Sequence, residues 1–204
     1  MELRLTHLME EPMKKILCLF LILSASSAQA GFLIEPYLGF SIGSGENSAT
    51  VKTEYDQNAT FLGARVGYQT LGLMFGIDYT KGSEAELETK SGTTTFKQDA
   101  DQNTFGLFVG YNLPVMLRAW AAYYMSTSIE IQNGASVGDE YNGSGYGLGL
   151  GFTGLPFVSL NLEYRMMTID EFKDQSTGLK STLSGNSEID YNQVMLSVSL
   201  PLDI

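Results

Sequence analysis

The stretch from Gly143 to Thr168, GSGYGLGLGFTGLPFVSLNLEYRMMT, leaves few folds open to this chain. From Gly145 to Gly151 every second residue is glycine, and between the glycines and just after them stand Tyr146, Leu148, Leu150 and Phe152. Past Thr153 to Pro156, a turn, Val158, Leu160, Leu162, Tyr164 and Met166 alternate with Ser159, Asn161, Glu163, Arg165 and Met167. A period of two separates into two faces only on extended backbone, so the stretch reads as a hairpin with one apolar face and one bare or polar face.

Strands of soluble sandwiches end after about five or six residues. These run to about ten, the length at which alternating strands cross a bilayer with their apolar face against lipid. The remaining sequence repeats the pattern over Phe32 to Gly43, Ala59 to Gln69, Leu71 to Lys81, Thr104 to Asn112, Met116 to Thr127, and a last run from Gln193 to Leu202. Three short turns and four long polar segments (Ser44 to Asn58, Gly82 to Asn103, Ser128 to Asn142, Ile169 to Asp190) connect them. The predicted fold is all-β, an up-and-down antiparallel transmembrane barrel of eight strands over residues 31–204. The fifth strand, apolar on both sides, is oriented by Arg118. A guanidinium on the lipid side at mid-membrane costs about 2 to 4 kcal/mol, which turns Arg118, Trp120, Ala122 and Tyr124 inward.

The first 30 residues read as a cleavable signal peptide. Lys14 and Lys15 precede the apolar run Ile16 to Leu23, and Ala28-Gln29-Ala30 forms a small-x-small site, so cleavage is expected between Ala30 and Gly31. Met13 opens a more ordinary leader than Met1 and is a second candidate start. The apolar run is far below the roughly 20 residues a spanning helix needs. Cys18 and His7, the single residues of their kinds, both precede the cut. The segment beyond it is thus expected to hold no disulfide, no thiolate nucleophile and no histidine base, and nothing in it suggests a cofactor. A net charge of −11 argues against nucleic acid as a partner.

A weak repeat shares this frame. Gly63-x-x-x-Gly67-Tyr68, Gly106-x-x-x-Gly110-Tyr111 and Gly147-x-x-x-Gly151-Phe152 each lie just before a short turn. Glycines fall inward, while Tyr68, Tyr111 and Phe152 fall outward at one height, as an interfacial girdle requires. With these features the chain resembles the small eight-stranded outer-membrane barrels of the OmpA/OmpX type and the wider porin-like outer membrane protein beta-barrel domain family. The resemblance implies a monomer in the outer membrane of a Gram-negative bacterium, in contact with lipid and lipopolysaccharide and inserted by the barrel-assembly machinery.

The inward register collects Glu35, Arg65, Asp78, Arg118, Glu163 and Arg165. Eight strands leave an interior just wide enough for side chains to fill, so these charges are expected to pair and plug the lumen. Exchange of partners within the set would instead give a narrow conduit for ions or small hydrophobic molecules. The excess negative charge falls in the four polar segments. Glu84, Glu86 and Glu88 share one face if their segment is extended, which makes them candidates for weak divalent-cation contacts through hard oxygen ligands. Hydrolases of similar architecture rely on a serine with a histidine base, which the chain beyond Ala30 lacks, so no catalytic residue is assigned. The expected role is that of a non-enzymatic barrel with a structural or surface-interaction function.

Overall fold

The computed structural model describes residues 30–47, 53–91, 94–134 and 136–203, with side chains described except at positions 83–85, 91, 94, 96 and 203. Residues 1–29 of the expected leader, with His7, Met13 and Cys18, lie outside the described residues.

Ten strands follow in order: β1 (Gly31–Asn47), β2 (Thr53–Thr70), β3 (Leu73–Ser91), β4 (Thr94–Leu113), β5 (Leu117–Ile131), β6 (Glu140–Phe152), β7 (Ser159–Lys173), β8 (Lys180–Thr182), β9 (Ile189–Ser199) and β10 (Leu202–Asp203). Each long strand pairs antiparallel with its chain neighbour, β9 joins β7, and the ring closes where β9 pairs β1 from Tyr37↔Ser199 to Asn47↔Ile189. Closure leaves no open edge among the eight long strands, the condition for placing a sheet in hydrocarbon. β8 adds to the end of β7, and β10 resumes pairing with β1 after Leu200-Pro201. The proline cannot donate there, yet the neighbouring Leu200 amide still reaches the Pro36 carbonyl at 3.0 Å.

Side-chain exposure alternates along the strands, with Leu33, Glu35 and Tyr37 buried and Phe32, Ile34 and Leu38 exposed. The outer surface carries a band of large apolar residues, among them Leu62, Phe75, Leu107, Leu148 and Leu196. No helix among the described residues is long and apolar enough to cross a membrane, and crossing falls to the strands. Tyr68, Tyr111 and Phe152 lie on the outer surface beside the short turns, where Tyr68 meets Phe32 edge-on at 5.9 Å. Leu71 (φ 51) and Gly72 (φ 83) close the β2–β3 turn with both central residues left-handed, the geometry that matches strand twist. By the usual convention the short turns are periplasmic and the long connections extracellular.

The strands are longer than the ten or so residues expected from the alternation. β3 and β4 contain 19 and 20 residues, and most of the segments 44–58 and 82–103 are hairpin rather than loop. The physical reason lies in the polarity of the two faces. Beyond the membrane the outward positions become polar, as in Glu86, Glu88, Lys97 and Asp99, while Leu87, Ala100, Ile129, Ile131, Ile169 and Ile189 turn inward and pack together. The same backbone pleat thus serves two solvents, apolar outside in lipid and apolar inside above it. Bulges at Asn58/Thr60, Gly82/Ala85 and Tyr124/Thr127 lie in this extracellular half, where they adjust register and curvature.

Candidate functional site

The six inward charges form one connected cluster on β1, β2, β3, β5 and β7, none more than a few per cent exposed. Arg65 stands at its centre. Its Nε donates to Asp78 Oδ2 at 3.0 Å and its Nη2 to Glu163 Oε2 at 2.9 Å, while Nη1 lies 3.9 Å from Glu35 Oε2. The guanidinium lies over the Trp120 ring at 4.2 Å and beside the Tyr37 ring at 4.9 Å.

Each carboxylate is surrounded by donors. Glu35 takes Arg118 in a two-pronged contact of 2.8 and 2.5 Å, with the Ser199 hydroxyl at 2.5 Å. Glu163 accepts from Arg65, from Arg165 Nε at 2.6 Å, from Trp120 Nε1 at 3.3 Å and from the Tyr124 hydroxyl. Asp78 accepts from Arg65 and from Tyr37, whose hydroxyl also meets Thr80 Oγ1 at 2.8 Å. Arg165 donates to that same Thr80 at 3.0 Å and lies over Tyr124 at 4.2 Å. Three guanidinium and three carboxylate groups balance, and their partners come from opposite walls. Charge balance, with every carboxylate accepting from more than one donor, is what makes burial of so many ions tolerable.

The glycines of β6 make room for this layer. A Cβ on Gly149 would lie 2.0 Å from Trp120 Cε2, one on Gly147 would crowd Tyr124 and Glu163, and one on Gly151 would crowd Asn161 and Arg118.

Two voids lie on the extracellular side of the layer. One, about 10 Å³, lies among Ser41, Thr80, Gln102, Arg165 and Gln193 inside the barrel. It holds no more than one water. The other, about 490 Å³, occupies the extracellular extension, with the inward isoleucines among its walls. Sequence reasoning missed this second feature by treating the segments around Leu87, Ile129 and Ile169 as loops. Its signal was present in Glu86-Leu87-Glu88 and Ser128-Ile129-Glu130-Ile131, where the alternation continues.

On the outer face of the extension, Glu86 and Glu88 are engaged by lysines. Lys97 contacts both, and Lys90 contacts Glu88 at 3.2 Å and Asp56 at 2.8 Å. Hydrogen bonds and charge from these carboxylates push both ammonium groups above their ordinary pKa. The Glu84 side chain lies outside the described residues, and among the described residues no three acidic, histidine or cysteine side chains come together to hold a metal.

A closed antiparallel ring with a lipid-compatible exterior and a charged, tightly filled interior defines a transmembrane β-barrel. Residues 16–200 match the outer membrane protein beta-barrel domain, and the chain belongs to that family, whose members reside in the outer membrane of Gram-negative bacteria. Two solved structures show the same fold. Neisserial surface protein A aligns at 14% identity and TM-score 0.51, covering 85% of this chain and 99% of that one. OprG from Pseudomonas aeruginosa aligns at 13% identity and TM-score 0.53, covering 87% and 99%. No curated protein sequence matches the chain.

Proposed function

We propose that the protein is a non-enzymatic outer-membrane barrel whose lumen is closed by ion pairs and which acts through its structure and its acidic extracellular surface. One observation carries the reading: Arg65 joins carboxylates of β1, β3 and β7, so a salt-bridged layer crosses the barrel interior. An aqueous path would have to break several charge-assisted contacts at once, each more costly in this confined interior than in water. The same pairing argues against catalysis, since Glu35, Asp78 and Glu163 already have multiple donors. Contact with the surroundings is left to the lipid-facing band, which suits lipid and the acyl part of lipopolysaccharide, and to the polar hairpins.

Planar-bilayer recording tests the closure. Purified, folded barrel is expected to insert without unitary conductance at neutral pH. Reproducible single-channel steps from the unmodified protein would overturn the reading in favour of an ion conduit.

A further inference from the structure

The extracellular half of the barrel holds the cavity of about 490 Å³, and its chemistry is unlike that of the charged layer. Leu87, Ile129, Ile131, Ile169 and Ile189 supply apolar walls. This volume is in the range of small-molecule sites, which are mainly apolar with a few placed polar groups. Burial pushes the Tyr55 and Tyr141 phenols upward in pKa, so both stay neutral donors at physiological pH.

The polar group that singles out this space is Gln57, which lines the cavity and is 1% exposed. Its Oε1 accepts from the Tyr191 hydroxyl at 2.5 Å, while its Nε2 is buried and has no hydrogen-bond partner among the described residues. A buried amide donor without an acceptor is destabilising, so a ligand oxygen that meets it gains affinity. Charge narrows the ligand further. The cation lining the cavity, Lys97, is held by Glu86 and Glu88, and the whole chain carries −11. An anionic head group would meet repulsion at the mouth, and among the described residues lining the cavity there is no unpaired cation to offset it.

We propose that this vestibule is a binding site for a neutral, mostly apolar molecule bearing one accepting oxygen, of the ketone or ester class, seated against the isoleucines with its oxygen on Gln57 Nε2. The proposal goes beyond the closed-barrel reading and does not depend on it, because occupancy of the vestibule is measured without reference to conduction.

The test uses the folded barrel in lipid nanodiscs with isotope-labelled isoleucine methyls, titrated with methyl hexyl ketone and, in parallel, octane and octanoate. The ketone is expected to give saturable shifts at Ile129, Ile131, Ile169 and Ile189 while the lipid-facing Ile34, Ile42 and Ile77 move only linearly. Octane should bind several-fold more weakly, and octanoate should not bind. Gln57→Leu, checked for folding by its heat-modifiable gel shift, should bring the ketone down to the affinity of octane, a loss of roughly three- to tenfold. Ile131→Trp, which fills the space from one wall, should abolish the saturable shifts and leaves the test usable if Gln57→Leu does not fold. Equal, non-saturating shifts at vestibule and lipid-facing methyls would overturn the site. An undiminished ketone affinity in Gln57→Leu, or equal binding of octanoate, would overturn the ligand chemistry.

Discussion

Arg65→Met is the sharpest perturbation of the lumen. The substitution removes one positive charge from a balanced set and withdraws donors from Asp78, Glu163 and Glu35 at 3.0, 2.9 and 3.9 Å. The losses are unequal. Glu163 keeps Arg165, Tyr124 and Trp120, and Glu35 keeps Arg118 and Ser199, whereas Asp78 is left with the Tyr37 hydroxyl alone. The penalty is therefore that of one uncompensated buried carboxylate, about 3 to 5 kcal/mol, rather than three times that. Loss of the cation from the Trp120 face adds on the order of 1 kcal/mol. If Asp78 bears most of the cost, Asp78→Asn in the Arg65→Met background removes the orphaned charge and should recover about half of it, a coupling of roughly 2 kcal/mol. Urea unfolding of refolded barrel in lipid vesicles, followed by Trp120 fluorescence, reads these differences, since Trp120 is the single tryptophan. A cost below about 1 kcal/mol for Arg65→Met, or a double variant less stable than the single one, would refute the idea that the layer is held by charge balance.

Gly149→Ala places a methyl 2.0 Å from Trp120, so overpacking should cost at least about 1 to 3 kcal/mol in urea unfolding, partly recovered by Trp120→Phe when the transitions are followed by far-UV circular dichroism. Leu148→Arg, on the lipid face, should destabilise by about 2 to 4 kcal/mol if it lies near mid-membrane, and the same change at Tyr111 by about 1 or less. At the hairpin bases, burial would raise Glu140, but Lys173 at 3.1 Å and the Ser128 hydroxyl at 2.9 Å outweigh it and hold the carboxyl below its ordinary range. A lowered folded-state pKa contributes stability above the unfolded value and loses it as pH falls. The β6–β7 contact should therefore weaken below about pH 4.5, Glu140→Gln should flatten that response, and carboxyl NMR titration checks both.

Much of the barrel could be read from residues alone because its determinant is local. Each crossing strand must show lipid one face and the lumen the other, and that demand writes a period of two into any ten residues. The partition held even in β5, where both faces are apolar and Arg118 alone decided the side, and the structure buries Arg118, Trp120, Ala122 and Tyr124 together. The reach of the strands was not legible. Above the membrane the polarity of the faces inverts, so Glu86, Glu88 and Lys97 dominate the composition and disguise an inward row headed by Leu87.

Residue order alone dictates which side chains enter the lumen, since facing depends only on parity along one strand. Who meets whom was decided by closure. Arg118 finds Glu35, Arg65 finds Glu163, and Ser199 finds Glu35 between strands brought together only when β9 pairs with β1. The vestibule likewise exists only once seven strands converge, because its apolar residues are scattered along the chain until the ring brings them face to face. Parity is a property of one strand, whereas pairing across a lumen depends on register summed around the whole ring.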